Sequence, residues 1–456
     1  MGTRRRDRRR SGPVVRANAT RFGRAASVSW LFSPSKQWAD AHRSPGIPMR
    51  YTLLAFLCVI SVVAYVQRSA MNGATKAIED DLQISSNDLG IVMSVWYLGY
   101  SLFQLPGGWL ADRIGSKPAL ILFALLWSVL TGLAGLVAGL SGLLLCWGLM
   151  GAAQAGIFPC CTKAIGATFP RTQQAFASGM LACCMSLGAA LAPAITGQLL
   201  GPLTWPQIFA LYAVPGLVWV ILFALVVPRP DAPASPPPST ATTTVAVPVQ
   251  WSKLVTDFQM LLLCFQQFLR AGAMVFFYTW FARFLQETKG ISGQDAGGFA
   301  AWPPFAGAFG GFFGGVLSDW LLKRTGNARI ARQGMTFVAL VICAVVALVA
   351  YFVDDPRIAV LLISVGAFCG MASGVSAYAL AMSYGGKRVA TVFATMNMSG
   401  NFGATLFPLA VTWIVTATNN WNYALLLFVS MFGLSAVCWA LLNPKGTLFG
   451  DVEEPQ

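Results

Sequence analysis

The chain has 456 residues, of which 56% are hydrophobic and only 11% charged, and its mean hydropathy is +0.63. Water-soluble domains carry about 25% charged residues, so a soluble enzyme or binding module is excluded and an integral membrane protein remains. The formal net charge of +14 is unevenly spread, with a large share of the arginines lying before the first apolar run.

Residues 1–48 open with "MGTRRRDRRRSGPVVRANATRFGR", a segment too polar and too rich in Gly, Ser and Pro to bury a core. It reads as a basic, disordered arm on the cytoplasmic side. Such a run could bind nucleic acid. A topology signal that also touches anionic lipid heads is the simpler reading, and no nucleic-acid partner is expected. No apolar h-region follows the arginines, so the arm lacks a signal-peptide plan. Met49, which opens "MRYTLLAFL", is an alternative start.

Apolar runs long enough to cross a bilayer as helices then begin near Tyr51, Asp88, Pro118, Ser141, Gln174 and Gln207. A Pro/Ser/Thr-rich linker, 229–252, interrupts them. Further runs begin near Asp257, Ala296, Gly334, Ile358, Val389 and Tyr423, and 444–456 forms a tail. The expected fold is an all-α polytopic membrane protein with twelve transmembrane helices in two six-helix halves, 49–228 and 253–443. Cations such as Arg113, Lys117, Arg171, Lys323, Arg324, Lys387 and Arg388 occupy alternate loops, and Glu79, Asp80, Asp81, Asp354 and Asp355 fall in the others. That alternation places both termini in the cytoplasm of a multi-pass inner (plasma) membrane protein.

The halves repeat. "GGWLADRIGSK" (Gly107 to Lys117) and "GGVLSDWLLKR" (Gly314 to Arg324) align so that Asp112 and Asp319 lie 207 residues apart (319 − 112), as do Gly108 and Gly315 (315 − 108). Duplicated six-helix units are a common transporter plan, with the substrate site near the midplane where the halves meet. The ten cysteines lie in apolar runs and the only histidine, His42, is in the arm. Neither a metal site nor a cofactor is expected.

Arg68 stands in "LCVISVVAYVQRSAMNGATKAI", which is otherwise apolar or small almost throughout. A guanidinium cannot be neutralised and costs several kcal/mol in hydrocarbon, so it pairs or faces a cavity. Tyr65, three residues earlier, shares its helix face. Arg270 is a second mid-span cation. Asn397 and Asn401 are four apart and put two amides on one side of a helix, where they either meet hydroxyl groups or accompany close packing at Gly400 and Gly403. No carboxylate lies deep inside a span.

The pattern G-x-L-A-D-R-x-G, met by Gly108, Leu110, Ala111, Asp112, Arg113 and Gly115, resembles the loop signature of the major facilitator superfamily. "LGIVMSVWYLGYSLFQLPGGWLADRIG", "GIFPCCTKAIGATFPRTQQAFASGML", "FFYTWFARFLQETKGIS" and "GKRVATVFATMNMSGNFGATLFPL" are similar to the anion:cation symporter family of sugar-acid, hexuronate, sialate and phthalate permeases. The resemblance implies a secondary transporter of a small organic anion working in the lipid bilayer by alternating access, and no enzyme. It implies that Arg68 binds the substrate carboxylate and Tyr100 hydrogen-bonds the substrate. Tyr65, Asn397, Asn401, Arg270, Trp147, Gln154 and Tyr278 complete the expected site. It also implies that Asp112, with Gly108 and Arg113, meets a helix N-terminus of the other half as a conformational latch. Asp319 would be the weaker counterpart, because Trp320 stands where Arg113 does.

The chain departs from the family at Gln67, Trp147 and Gln154, where the relatives commonly carry Asp, Arg and Glu. No proton-carrying side chain then remains in the spans. Symport with a proton or sodium, exchange, uniport, and a transporter-like anion sensor all stay open. One arginine among amides and tyrosines suggests a hydroxylated monocarboxylate, and an aromatic acid would fit Trp147 equally well.

Overall fold

The structure is a computed structural model that describes residues 47–227, 251–279, 281–290, 299, 301–444 and 446–449. The readings made for the arm, most of the linker and the end of the tail lie outside the described residues.

The chain is all-helical. α1 spans Ile47–Leu82, α2 Ser86–Ile114 and α3 Ser116–Ala134. α4 has two pieces, Leu140–Gln154 and Ile157–Thr168, followed by α5 (Gln174–Leu199) and α6 (Trp205–Val226). In the second half α7 covers Phe258–Thr279, with a further piece at Phe281–Lys289, and α8 covers Trp302–Thr325. α9 (Met335–Phe352) is entered through a π-helical turn, Arg329–Gly334. α10 (Pro356–Gly385), α11 (Val389–Thr418) and α12 (Asn422–Leu441) complete the set.

Eleven stretches are long and apolar enough to cross a membrane. One of them, Pro356–Thr418, runs to 63 residues and holds both α10 and α11, so the crossing helices among the described residues number twelve (11 + 1). Helix starts follow local chemistry. Ser85 and Asp88 cap α2 reciprocally, Asp88 N donating to Ser85 Oγ at 3.2 Å and Ser85 N to Asp88 Oδ2 at 3.0 Å. Asp355 accepts from Arg357 N at 2.7 Å and starts α10. α8 carries proline in its first turn, where a missing N–H costs nothing, and the start expected near Ala296 lies outside the described residues.

The packing order repeats between halves. α1 packs on α5, α2 on α4, and α3 on α6; α7 packs on α11, α8 on α10, and α9 on α12. Across the halves α2 meets α11 and α5 meets α8, again as symmetric counterparts. The closing helix of each half is tied in the same way. Lys117 Nζ donates to Ala224 O at 2.8 Å, and Gln333 Nε2 donates to Ala440 O at 2.9 Å. Both acceptors lie in the last turn of a helix, where carbonyls lack an intrahelical partner.

Candidate substrate site and interhalf contacts

Arg68 is enclosed by aromatic rings. Its guanidinium carbon lies 4.1 Å from the Trp96 centroid, 4.9 Å from Tyr97, 5.3 Å from Tyr65 and 5.6 Å from Tyr100. Helical spacing explains the enclosure: Tyr65 is one turn before Arg68, and Trp96 and Tyr100 are one turn apart on α2. Trp96 also stacks on Tyr100, with centroids 4.9 Å apart and planes at 13°. Rings attract the faces of a guanidinium but leave most of its in-plane N–H donors for an oxygen acceptor. The described ion pairs are Lys163–Asp112 and Arg332–Asp319, so no carboxylate among the described residues neutralises Arg68.

From this enclosure a polar track leads into the other half. Gln104, one turn beyond Tyr100, is fully buried, and its Oε1 accepts from Asn397 Nδ2 of α11 at 3.1 Å. On α11 the side of Gly400 faces Gln267 of α7, where an added Cβ would come within 2.9 Å of Gln267 Cγ. Gln267 Oε1 accepts from Arg270 at 3.3 Å (Nε) and 3.1 Å (Nη2), and Arg270 Nη1 donates to Gly370 O of α10 at 3.4 Å. Tyr378 of α10 packs edge-on to Phe393 of α11 at 5.0 Å. Along this track three buried nitrogens lack a hydrogen-bond partner: Trp96 Nε1, Gln104 Nε2 and Asn401 Nδ2. All are donors as placed, and an anion is the ligand that donors suit.

The remaining expected site residues divide. Gln154 Nε2 donates to Ala64 O at 3.1 Å and ties the break in α4 to α1 one turn before Arg68. Gln67 turns away from Arg68 and donates to Tyr212 O of α6 at 2.6 Å. Trp147 is buried against Phe209 of α6 at 5.7 Å and takes no part in the aromatic enclosure. Tyr278 lies on α7, with its side chain outside the described residues. Sequence reasoning missed Trp96, Gln104 and Gln267. Trp96, Tyr100 and Gln104 stand four apart in "VWYLGYSLFQ", a one-face pattern that could have disclosed the first two.

Asp112 reaches across to the start of α11. It accepts from Thr391 N at 2.8 Å, Thr391 Oγ1 at 2.6 Å and Ala390 N at 3.3 Å. Gly108, one turn earlier, permits the approach, since a Cβ there would lie 2.5 Å from Ala390 O. Lys163 places Nζ 3.4 Å from Asp112 and 2.9 Å from Ala111 O. Arg113 is exposed over the Trp109 ring at 5.3 Å and stands outside this contact.

Asp319 makes the symmetric reach to the start of α5, accepting from Phe176 N at 2.7 Å. Its cation comes from a different position than the repeat suggests. Arg332, in the turn before α9, donates to Asp319 Oδ1 at 2.6 Å, to Ser318 Oγ at 2.7 Å and to Arg171 O at 2.6 Å. With Trp320 in the place of an arginine, Asp319 takes its ion pair from Arg332 of its own half and accepts one hydrogen bond from the other half, against three at Asp112.

Comparison with known proteins agrees with this architecture. The chain is 27% identical over 413 residues to the probable sulfoacetate transporter SauU of Cupriavidus necator, covering 88% of this chain and 96% of that protein. It is 26% identical over 426 residues to the probable galactarate/D-glucarate transporter GarP of Escherichia coli, covering 87% and 95%. A hexuronate transporter of Bacillus subtilis is 28% identical over 411 residues, covering 87% and 96%. Among solved structures, the Escherichia coli fucose:proton symporter FucP superposes with a TM-score of 0.70 at 16% identity, covering 87% of this chain and 99% of that one. The profile of the Major Facilitator Superfamily matches residues 57–352, well over half of the 456. The chain therefore belongs to the Major Facilitator Superfamily.

Proposed function

We propose that this protein is a secondary transporter of organic anions of the sugar-acid kind, moving them by alternating access, with Arg68 as the principal anion-binding group. The observation that carries this reading is Arg68 itself: a mid-bundle cation enclosed by rings, beside buried donors, with no carboxylate to neutralise it among the described residues. The names of the relatives support the substrate class.

Asp112 and Asp319 act as latches on the cytoplasmic face. Each satisfies orphan N–H groups at a helix start of the opposite half, where the partial positive charge favours a carboxylate. Rocking of the halves would break both contacts and expose the site to the cytoplasm.

Gln67 and Gln154 favour exchange or uniport over proton symport. Each is neutral, buried and bonded to a backbone carbonyl. Neither can hold and release a proton.

The test is uptake of galactarate and of a hexuronate into proteoliposomes under an inward proton gradient, a sodium gradient, or neither. The expected result is uptake that ignores both gradients and rises with internal anion. Uptake driven by the proton gradient would overturn the exchange reading. Wild-type uptake by Arg68→Ala would overturn the site.

A further inference from the structure

We propose that a notch between α8 and α10 binds one anionic phospholipid, with an acyl chain lying in the notch and the phosphate held by Lys323 and Arg324. This site is independent of the solute the protein carries.

Small residues make the notch. Gly314 and Ala372 bring the two helices so close that a Cβ on Gly314 would lie 2.5 Å from Ala372 Cα. Both are buried and form the floor. Phe313 and Phe368, with ring centroids 6.5 Å apart, wall one end, and Trp320 walls the other. The notch has a volume of about 420 Å³. Phe313, Leu317 and Trp320 along its rim are half exposed, and Trp302, Phe305 and Phe309 continue the same exposed face of α8 at helical spacing. An apolar face running the length of a spanning helix meets lipid chains.

Rings alone would meet any lipid, and it is charge at the mouth that selects one. Lys323 and Arg324 lie in the last turn of α8, one turn beyond Trp320, and both are exposed. The Arg324 guanidinium carbon lies 5.9 Å from the Trp320 ring centroid, which holds the cation at that end of the notch. A phosphodiester accepts parallel N–H bonds from a guanidinium. Basic residues beside a crevice between transmembrane helices suit an anionic head group.

The repeat sets this arrangement apart. Arg324 is the counterpart of Lys117, which stands 207 residues earlier (324 − 117). Lys117 Nζ donates to Ala224 O and so ties down the closing helix of the first half. In the second half Gln333 makes the equivalent tie to Ala440 O, and Arg324 lies over Trp320 instead.

The experiment uses the full-length protein, purified and delipidated in detergent. It is titrated with dioleoyl phosphatidylglycerol or dioleoyl phosphatidylcholine, and bound lipid is counted by native mass spectrometry. The expected result is one phosphatidylglycerol bound about tenfold or more tighter than phosphatidylcholine. Lys323→Gln/Arg324→Gln should erase that preference. Leu317→Trp, which fills the notch and keeps both cations, should weaken phosphatidylglycerol by about threefold or more. A diazirine on the acyl chain should label the peptides covering residues 313–320 and 368–372. Equal binding of the two lipids would overturn the proposal, as would either variant binding phosphatidylglycerol as the wild type does. Labelling confined to other helices would also overturn it. Glycerol 3-phosphate competing as well as the whole lipid would do the same, since the head group would then act without the notch. A lipid-free dimer with residues 313–320 protected from exchange would put a second copy of the chain there instead.

Discussion

Arg68 owes its position to rings rather than to an acid. Cation–π contacts to Trp96, Tyr97, Tyr65 and Tyr100 surround its guanidinium, so under the proposed function an oxyanion would meet a group already in place. Lysine in that place would keep the charge and lose the planar fork. Arg68→Lys is expected to raise the half-saturating substrate concentration by about tenfold or more, read from initial uptake rates in proteoliposomes. The two carboxylates that reach across the halves differ at the same scale. Lys163 has 15% of its side chain exposed and can swing toward water when its partner is lost, whereas Arg332 has 6% and cannot. Asp319→Asn leaves a buried guanidinium uncompensated, a loss of about 3 kcal/mol or more. It should lower the thermal unfolding midpoint in detergent further than Asp112→Asn does.

Helix ends and breaks carry the next level. α2 and α11 touch where Gly108 leaves room for the Ala390 carbonyl. A branched side chain at Gly108 cannot be absorbed by backbone. Gly108→Val is expected to separate α2 from α11 where they meet at Ala390 and to raise hydrogen exchange across the peptide covering residues 389–393 by about tenfold. Gln154, at the break in α4, donates to Ala64 O across to α1. Gln154→Leu should destabilise the fold by about 1 kcal/mol, seen as a lower unfolding midpoint. It should also weaken anion binding, because Ala64 is one turn before Arg68.

The whole molecule is two copies of one packing scheme, joined by contacts that are themselves paired: Asp112 at the start of α11, Asp319 at the start of α5. Two rigid halves cannot open one of these contacts and keep the other. Asp112→Asn should therefore raise hydrogen exchange at the start of α5 as well as α11, and Asp319→Asn should do the same in reverse. Exchange confined to the mutated contact would show local fraying in place of rocking halves.

Hydropathy, charge alternation and the Asp112/Asp319 repeat made the twelve helices and the two halves legible from sequence alone. A bilayer admits few spanning structures, and helix length is set by its thickness. The candidate site was legible only in part. Arg68, Tyr65, Tyr100, Asn397 and Arg270 stood out because polar groups in apolar runs are conspicuous. Trp96 did not, since an aromatic residue in a membrane helix looks the same whether it faces lipid, a packed core or a guanidinium. Trp147 looked equally suited to the site, and its contact with Phe209 could not be read from the sequence. Partnership was likewise hidden: that Arg332 rather than a residue beside Asp319 supplies the ion pair, and that Lys163 serves Asp112, depends on how separate helices meet. Sequence by itself determined which groups are expensive to bury in a membrane. The tertiary structure decided which of them neutralise one another and which are left for a ligand, because pairing depends on distances between helices far apart in the chain.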